Sequence, residues 1–187
     1  MAEVYLFMAD GTEEAEALIT ADLLRRAEID LALVSINDEP VIESSHGVRI
    51  QTDTTFAAGD FKDGKMLIFP GGMPGMTNLR DHSGLQNLLD QYRAGGKKLA
   101  AVCASPAILG AKGFLDGQRA TCYPGFEKEL GKAEYTAAPV EVLEDQGIIT
   151  GKALGATIPF ALNIISMLRD KACADRIAAE ICYAGDY

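Results

Sequence analysis

Cys103 is the residue with the clearest potential for covalent chemistry, because it stands where a predicted strand gives way to a predicted helix. Residues 99–102 are small or β-branched, and residues 104–109 have helical character, with Pro106 suited to the first turn and either Ser105 or Cys103 to the cap. A thiol at such a turn lies under the positive end of a helix, which favours the nucleophilic thiolate. The turn therefore predicts an ionised nucleophile, although a free cysteine at a strand end is also a common small core residue.

Gly71 and Gly72 directly follow the apolar run at 66–69 and are predicted at the same edge of the sheet as Cys103. Glycine allows backbone N–H groups to approach a ligand closely. Beside a nucleophile, those groups would hold the oxyanion that forms when the thiolate attacks a carbonyl. A plain turn is the alternative interpretation of two adjacent glycines.

Glu16 is the third candidate, because helical periodicity places it on the apolar side of the first predicted helix, whereas Glu14 points away and Glu13 lies at the margin. The apolar stripe, drawn at about 100° per residue, comprises Ile19, Leu23, Leu24 and Ala27. Burial raises the pKa of a carboxyl group, so a protonated Glu16 would donate a hydrogen bond to the thiolate. The alternative is that Glu16 only complements the helix N-terminus from a partly hydrated position.

Strands alternate with helices along the chain, which indicates crossover connections and a mainly parallel sheet with helices on both faces. The predicted strands cover 4–8, 31–36, 66–69, 99–102 and 118–121, and predicted hairpins cover 41–50 and 140–150. The predicted helices cover 12–27, 83–94, 104–109, 156–168 and 171–183. We therefore expect a single α/β domain over 1–187, with its ligand outside the carboxyl ends of the strands.

Composition narrows the range of partners. The chain has 187 residues, 48% of them hydrophobic, and a net charge of −10, which disfavours binding to nucleic acid phosphates. It contains no apolar stretch long enough to span a membrane, and its N-terminus is read as a first strand instead of a signal peptide. The four cysteines and two histidines lack metal-ligand spacing, so we expect a cytoplasmic protein without a metal or cofactor.

Four segments together carry a resemblance that extends from the first strand almost to the C-terminus. They are Asp10-Gly11-Thr12-Glu13-Glu14-Ala15-Glu16, Leu23-Leu24-Arg25-Arg26-Ala27, Pro70-Gly71-Gly72 with Gly75 and Asn78-Leu79, and Ala101-Val102-Cys103-Ala104-Ser105-Pro106. The chain resembles the ThiJ/PfpI superfamily, most closely the branch of the human parkinsonism-associated protein. This resemblance implies a flavodoxin-like three-layer sandwich that forms a homodimer. It also implies a reactive Cys103, a protonated Glu16 and backbone donors from Gly72 and Ala104.

Two positions depart from the family pattern. Members with reported protease or amidase activity have a histidine immediately after the cysteine, where this chain has Ala104. Members closest to the human protein have a histidine near the thiol, and the aligned position here is Tyr123. His46 aligns near the family's dimer contact and would border the pocket. The other candidate pocket residues are Gly71, Arg26 and Cys122, the last as a resolving thiol.

These residues support two functions. In the first, the protein is a glyoxalase or protein deglycase, in which Cys103 attacks methylglyoxal-type carbonyls or their adducts and Glu16 relays protons. In the second, Cys103 is a redox sensor that is oxidised to sulfinic acid without turnover. Ala104 disfavours a thiol peptidase or amidase, and the lack of a phosphate-binding loop disfavours thiamine-precursor biosynthesis. The expected partners are a small reactive carbonyl substrate and a second copy of the chain.

Overall fold

Apolar runs form the strands and amphipathic segments form the helices in the computed structural model, which describes residues 2–187. The strands are β1 (Val4–Met8), β2 (Leu31–Ser35), β3 (Val41–Glu43), β4 (Arg49–Gln51), β5 (Thr54–Thr55), β6 (Met66–Phe69), β7 (Lys98–Val102), β8 (Arg119–Ala120), β9 (Glu134–Tyr135), β10 (Val140–Leu143) and β11 (Ile148–Gly151). The helices are α1 (Glu14–Arg26), α2 (Gly75–Asp81), α3 (Ser83–Ala94), α4 (Pro106–Ala111), α5 (Thr157–Leu168) and α6 (Lys171–Glu180). Within the described residues, no helix has both the length and the apolar character needed to cross a membrane.

The main sheet has seven strands in the order β10-β11-β7-β6-β1-β2-β5. Every neighbouring pair is parallel except β10 and β11, which form an antiparallel hairpin at one edge. The chain moves outward from β1 to β2 in one direction and from β6 to β7 in the other. The strand order therefore reverses between β1 and β6, and in sheets of this kind the crevice at that point is where ligands bind.

The alternation of side chains along each strand builds two core layers, one on each face of the sheet. In β1, for example, Leu6 and Met8 pack in the layer that contains residues of α1, α5 and α6. Tyr5 and Phe7, which point the opposite way, pack in the layer that contains residues of α2, α3 and α4. The arrangement confirms the predicted three-layer α/β sandwich with a mainly parallel sheet and helices on both faces.

Several predicted boundaries were wrong. Helix α1 begins at Glu14 instead of residue 12, because the Thr12 hydroxyl accepts a hydrogen bond from the backbone N–H of Ala9 in the preceding turn. The segment 118–121 contributes only the two-residue strand β8, which pairs with β9 outside the main sheet. Helix α2 was not predicted, since its start at Pro74-Gly75 reads as a loop. Helix α6 ends at Glu180, short of the predicted residue 183.

Candidate active site

Cys103 occupies a sharp turn between β7 and α4. Its φ angle of +65° lies in the left-handed region, which costs energy for a residue that has a Cβ atom. Two backbone hydrogen bonds hold the turn: the Cys103 N–H donates to the Gly151 carbonyl at 2.9 Å, and the Tyr123 N–H donates to the Cys103 carbonyl at 2.8 Å. A strained turn of this kind presents the side chain at the end of the strand, as strand–nucleophile–helix turns do in hydrolases.

Backbone N–H groups of Gly72 and Ala104 lie close enough to the Cys103 sulfur to lower the pKa of its thiol. Gly72 has a φ of +92°, and a Cβ atom there would lie 2.3 Å from the Glu13 nitrogen, so this close approach requires glycine. The buried Ser105 hydroxyl fixes the two turns together by donating to the Pro70 carbonyl at 2.6 Å. Ser105 stands at the N-cap position of α4, one of the two residues expected there, but its side chain makes no capping hydrogen bond.

Glu16 lies behind the thiol on the buried face of α1, where only 1% of the residue is exposed. Its Oε2 atom accepts a hydrogen bond from the Gly71 N–H at 2.8 Å, whereas its buried Oε1 atom has no hydrogen-bond partner among the described residues. The carboxyl group lies close enough to the Cys103 thiol for each group to shift the pKa of the other. Gly71 separates the two side chains: a Cβ atom at this position would lie 2.5 Å from Cys103 Cβ and 2.8 Å from Glu16 Oε2. The structure thus brings Cys103, Glu16, Gly71, Gly72 and Ala104 together at one edge of the sheet.

Burial raises the pKa of both acids in this pair. The pKa of Glu16 rises to about 7, because desolvation outweighs the stabilising hydrogen bonds from Gly71 and Cys103. The pKa of Cys103 rises to about 12, first through desolvation and then through the charge of ionised Glu16, despite the N–H donors. The expected thiolate beside a protonated acid is therefore wrong for the free protein above neutral pH. There the raised pKa keeps the proton on the sulfur.

Three predicted pocket residues do not bring their side chains to the sulfur. Tyr123 contacts the turn through its backbone N–H, and the residue is 47% exposed. Cys122 is fully buried in the core layer opposite the one that Cys103 packs against, where burial raises its pKa to about 11. Arg26 ends α1, about 15 Å along the helix axis from Glu16, and pairs with Asp22 and Glu180.

His46 lies on the β3–β4 hairpin, which folds over the N-terminus of α1. Its Nδ1 atom lies 3.0 Å from Glu14 Oε1 and 3.5 Å from Glu13 Oε2, and Ser45 Oγ donates to Glu13 Oε2 at 3.1 Å. The hydrogen bond to Glu14 and the charges of both glutamates raise the pKa of His46. Glu14 lies outside the buried face of α1, as predicted, but helical periodicity could not show that it contacts the hairpin.

Glu13, Glu14 and His46 form the one group of residues, among 2–187, whose ligand atoms are close enough together to hold a metal ion. Their ligand atoms lie within 4.8 Å of one another. The two carboxylates already pair with the imidazole and with Ser45, so the cluster is internally satisfied without an ion. Two features of the sequence could have indicated this cluster: the adjacent glutamates at the start of the first predicted helix, and the Ser45-His46-Gly47 turn in the predicted hairpin at 41–50.

The sequence and fold that build this site can be compared with those of known proteins. The model of the DJ-1/PfpI family matches residues 2–167. The chain belongs to the DJ-1/PfpI family. A solved structure described as Toxoplasma gondii DJ-1, oxidized, superposes with a TM-score of 0.91 at 34% identity and covers 99% of this chain and 100% of that one. The flavodoxin-like sandwich expected from the resemblance is therefore present.

Two curated relatives show how far the DJ-1/PfpI similarity extends. Protein DJ-1 homolog A of Arabidopsis thaliana is 32% identical over 179 residues, 94% of this chain but 45% of the relative. The chain thus spans less than half of that protein, and 41% of a second Arabidopsis relative. The glutathione-independent glyoxalase DJR-1.2 of Caenorhabditis elegans is 27% identical over 179 residues, which cover 96% of this chain and 95% of the relative.

Proposed function

We propose that this DJ-1/PfpI family member is a cofactor-independent glyoxalase that converts small α-oxoaldehydes such as methylglyoxal to hydroxy acids. The observation that supports this most directly is the contact of one thiol with a buried carboxyl group and two backbone N–H donors. These are a nucleophile, a proton acceptor and an oxyanion site within one turn of each other. The similarity to a relative named as a glyoxalase adds independent support.

The first step needs a base, because the thiol is protonated in the free protein. Glu16, with its pKa near 7, takes the proton from Sγ of Cys103 as the sulfur attacks the aldehyde carbon. A carbon–sulfur bond forms and the carbonyl π electrons move to oxygen. The N–H groups of Gly72 and Ala104, which lie beside the sulfur, would stabilise that oxygen. The oxygen then takes from Glu16 the proton that Sγ lost, which gives a hemithioacetal and returns Glu16 to the carboxylate form.

The second stage is an internal oxidation and reduction that needs no outside redox partner. A carboxylate at Glu16 removes the proton from the former aldehyde carbon, and the resulting enediol takes a proton at the neighbouring carbon. The first carbon thereby reaches the oxidation level of a thioester, and the second becomes an alcohol. Water then cleaves the thioester, which releases lactate and restores the thiol of Cys103.

Removal of carbonyl adducts from proteins follows from the same attack. In an aminocarbinol adduct, Sγ of Cys103 would displace the amine, so that a carbon–sulfur bond replaces the carbon–nitrogen bond. The departing amine takes its proton from Glu16, and the hemithioacetal that remains enters the route above. Because the product of both substrates is lactate, deglycase activity is tested by the release of free amine from a defined adduct.

The test of the enzyme proposal is methylglyoxal loss and lactate formation at millimolar substrate. We expect Cys103→Ala to abolish turnover, and Cys122→Ser to retain it because Cys122 lies in the opposite core layer. Glu16→Gln should lower turnover by about 10²- to 10⁴-fold, the usual range for the loss of a general base. Turnover that survives Cys103→Ala, or its absence in the purified wild-type protein, would contradict the proposal.

A redox sensor is the second candidate, and one observation favours it: the similar Toxoplasma gondii DJ-1 structure is of an oxidized protein. Gly72 and Ala104 would also hydrogen-bond a sulfinate at Cys103. The raised pKa of Cys103 counts against it, since the thiolate is the form that peroxide oxidises. Mass spectrometry after mild peroxide decides the order: a sensor requires Cys103 to gain two oxygens before any other cysteine.

We also propose that the protein is a homodimer. An apolar groove of about 410 Å³ lies between α1, α5 and α6, and exposed apolar surface of this kind marks protein contacts. Leu18, Ile19, Leu23, Ile158 and Ile181 line it together with Asp22. Sedimentation analysis should give a dimer for the wild type and a monomer for Ile158→Asp; a wild-type monomer would contradict the proposal.

The four free thiols fit a reducing cytoplasm.

A further inference from the structure

The start of α1 brings two further carboxylates beside the Cys103–Glu16 pair, since the Glu13 N–H donates to the Gly71 carbonyl at 2.9 Å. Glu13 precedes α1 and stands three residues before Glu16, whose ionisation its negative charge opposes. The side chains of Glu13 and Glu14 are only 15% and 19% exposed, so water screens them incompletely. Within the described residues, the one cationic partner that either glutamate contacts is His46, whose own side chain is 66% exposed.

A cleft of about 390 Å³ adds two further carboxylates on the same side of the protein. It runs beside the Gly72 turn, since Met73 and Pro74 form one wall, and beside Glu13, since Ser45 forms another. Asp10 and Glu43 line this cleft, and no lysine or arginine among residues 2–187 does. In the part of the chain that the structure describes, the Asp10 carboxylate accepts hydrogen bonds from neutral donors alone, the side-chain amide of Asn37 and the backbone N–H of Glu43.

We propose that this arrangement makes the thiol selective for uncharged electrophiles, with Glu13 and Glu14 as the specificity-determining residues. The inference rests on the proposed function and names its substrate class: neutral aldehydes and α-dicarbonyls react, and carboxylate-bearing carbonyl compounds are disfavoured. A negative field at a partly enclosed site lowers the local concentration of anions, and a discrimination of about tenfold lies at the low end of such effects. The same field favours release of an anionic hydroxy acid once it forms.

Alkylation of Cys103 by iodoacetamide and by iodoacetate measures this selectivity directly. The two reagents have nearly the same size, and with both the sulfur displaces iodide while a carbon–sulfur bond forms. Only iodoacetate carries a negative charge. The rate ratio for the Cys103 peptide in the intact protein, read by mass spectrometry, is divided by the ratio for a free neutral thiol. We expect a normalised preference for iodoacetamide of about tenfold at low salt, which falls toward one as ionic strength rises.

Matched variants separate a local field from the net charge of the protein. Replacement of Glu13 and Glu14 by glutamine should reduce the preference several-fold. At a pH where the imidazole is protonated, His46→Gln should increase the preference, because His46 is the one basic side chain among the described residues that contacts either glutamate. Glu180→Gln changes the net charge by the same amount as a single site variant but acts at the far end of α1, where Glu180 pairs with Arg26. It should leave the ratio unchanged.

Several outcomes would overturn the inference. These are a normalised ratio near one, a ratio that salt does not alter, or equal changes in the Glu180 and Glu13 variants. Failure of either reagent to label Cys103 would overturn both this inference and the assignment of the nucleophile. If the glutamine variants do not fold, the salt series on the wild-type protein still decides. Selectivity without methylglyoxal turnover would refute the glyoxalase proposal alone, and turnover without selectivity would refute this inference alone.

Discussion

Replacement of Gly71 by alanine is the sharpest perturbation of the candidate site, because it adds one methyl group between the thiol and the carboxyl group. The new Cβ atom would lie 2.5 Å from Cys103 Cβ, 2.9 Å from Cys103 Sγ and 2.8 Å from Glu16 Oε2. Carbon atoms in contact prefer a separation of about 3.5 Å or more, so a neighbour must move by about 1 Å. Gly71 does not have a positive φ angle, so the effect is steric and does not come from backbone strain.

None of the three groups can move freely. The Gly71 N–H donates to Glu16 and the Gly71 carbonyl accepts from the Glu13 N–H at 2.9 Å, so the backbone is held on both sides. The Cys103 turn is held by Gly151 and Tyr123. We therefore expect a loss of about 1–3 kcal/mol in the free energy of unfolding, as for other overpacked sites. A displacement of about 1 Å between reacting groups lowers a reaction rate by about 10²-fold.

Urea unfolding and methylglyoxal turnover measure these two effects on the same preparations. The matched control is Gly155→Ala, since Gly155 also lacks a positive φ angle and a Cβ atom there would meet no described atom within 4 Å. The control should change neither quantity. A folded Gly71→Ala protein with turnover within about twofold of the wild type would show that close packing around Gly71 does not position the reacting groups.

Three further predictions concern stability. Burial raises the pKa of Glu16 from 4.5 to about 7, so its contribution to stability is full below pH 4.5 and is lost as pH rises through 7. The free energy of unfolding of the wild type, measured by urea titration, should therefore fall by about 3 kcal/mol relative to that of Glu16→Gln between pH 4.5 and 8. Ser105→Ala should cost about 1–3 kcal/mol in the same assay, because the buried Pro70 carbonyl loses its donor. Thr20→Val should raise the thermal midpoint and stabilise the protein by about 1 kcal/mol, because the buried Thr20 hydroxyl has no hydrogen-bond partner among the described residues. No pH dependence of the difference, an unchanged Ser105 variant or a destabilised Thr20 variant would contradict the respective argument.

The elements that the sequence predicts well are those with a strong local pattern and complete burial. Strand β6 begins and ends where its apolar run does, and α3 is bounded by Gly95 as expected. The short strands that it misses or makes too long depend on distant partners. The strand predicted at 118–121 keeps only the two residues of β8, which pair with β9, and β5, which was not predicted, exists through its pairing with β2. A two-residue strand has no periodicity of its own, so its bounds cannot be obtained from local sequence.

The candidate site divides in the same way. The Gly71-Gly72 turn and the Cys103 turn are local features, and helical periodicity placed Glu16 on the buried face. The sequence alone could also have excluded Arg26 from the site, since the ten helical residues between Glu16 and Arg26 span about 15 Å. The protonation state of the Cys103 sulfur could not be predicted from the sequence, because the pKa of a thiol depends on how deeply the completed fold buries it and on the charge of Glu16.

One buried carboxyl group is sufficient for the proposed chemistry, so the proposed mechanism needs no imidazole at the thiol. Isomerisation of an α-oxoaldehyde returns to one carbon the proton that it removes from the next, so a single group that gains and loses a proton near pH 7 serves every step. Glu16 meets this requirement because its burial brings its pKa to about 7. Ala104 need supply only its N–H, and Tyr123 only the hydrogen bond that holds the turn. In the proposed mechanism, the buried acid therefore carries out the proton transfers that an imidazole would otherwise perform.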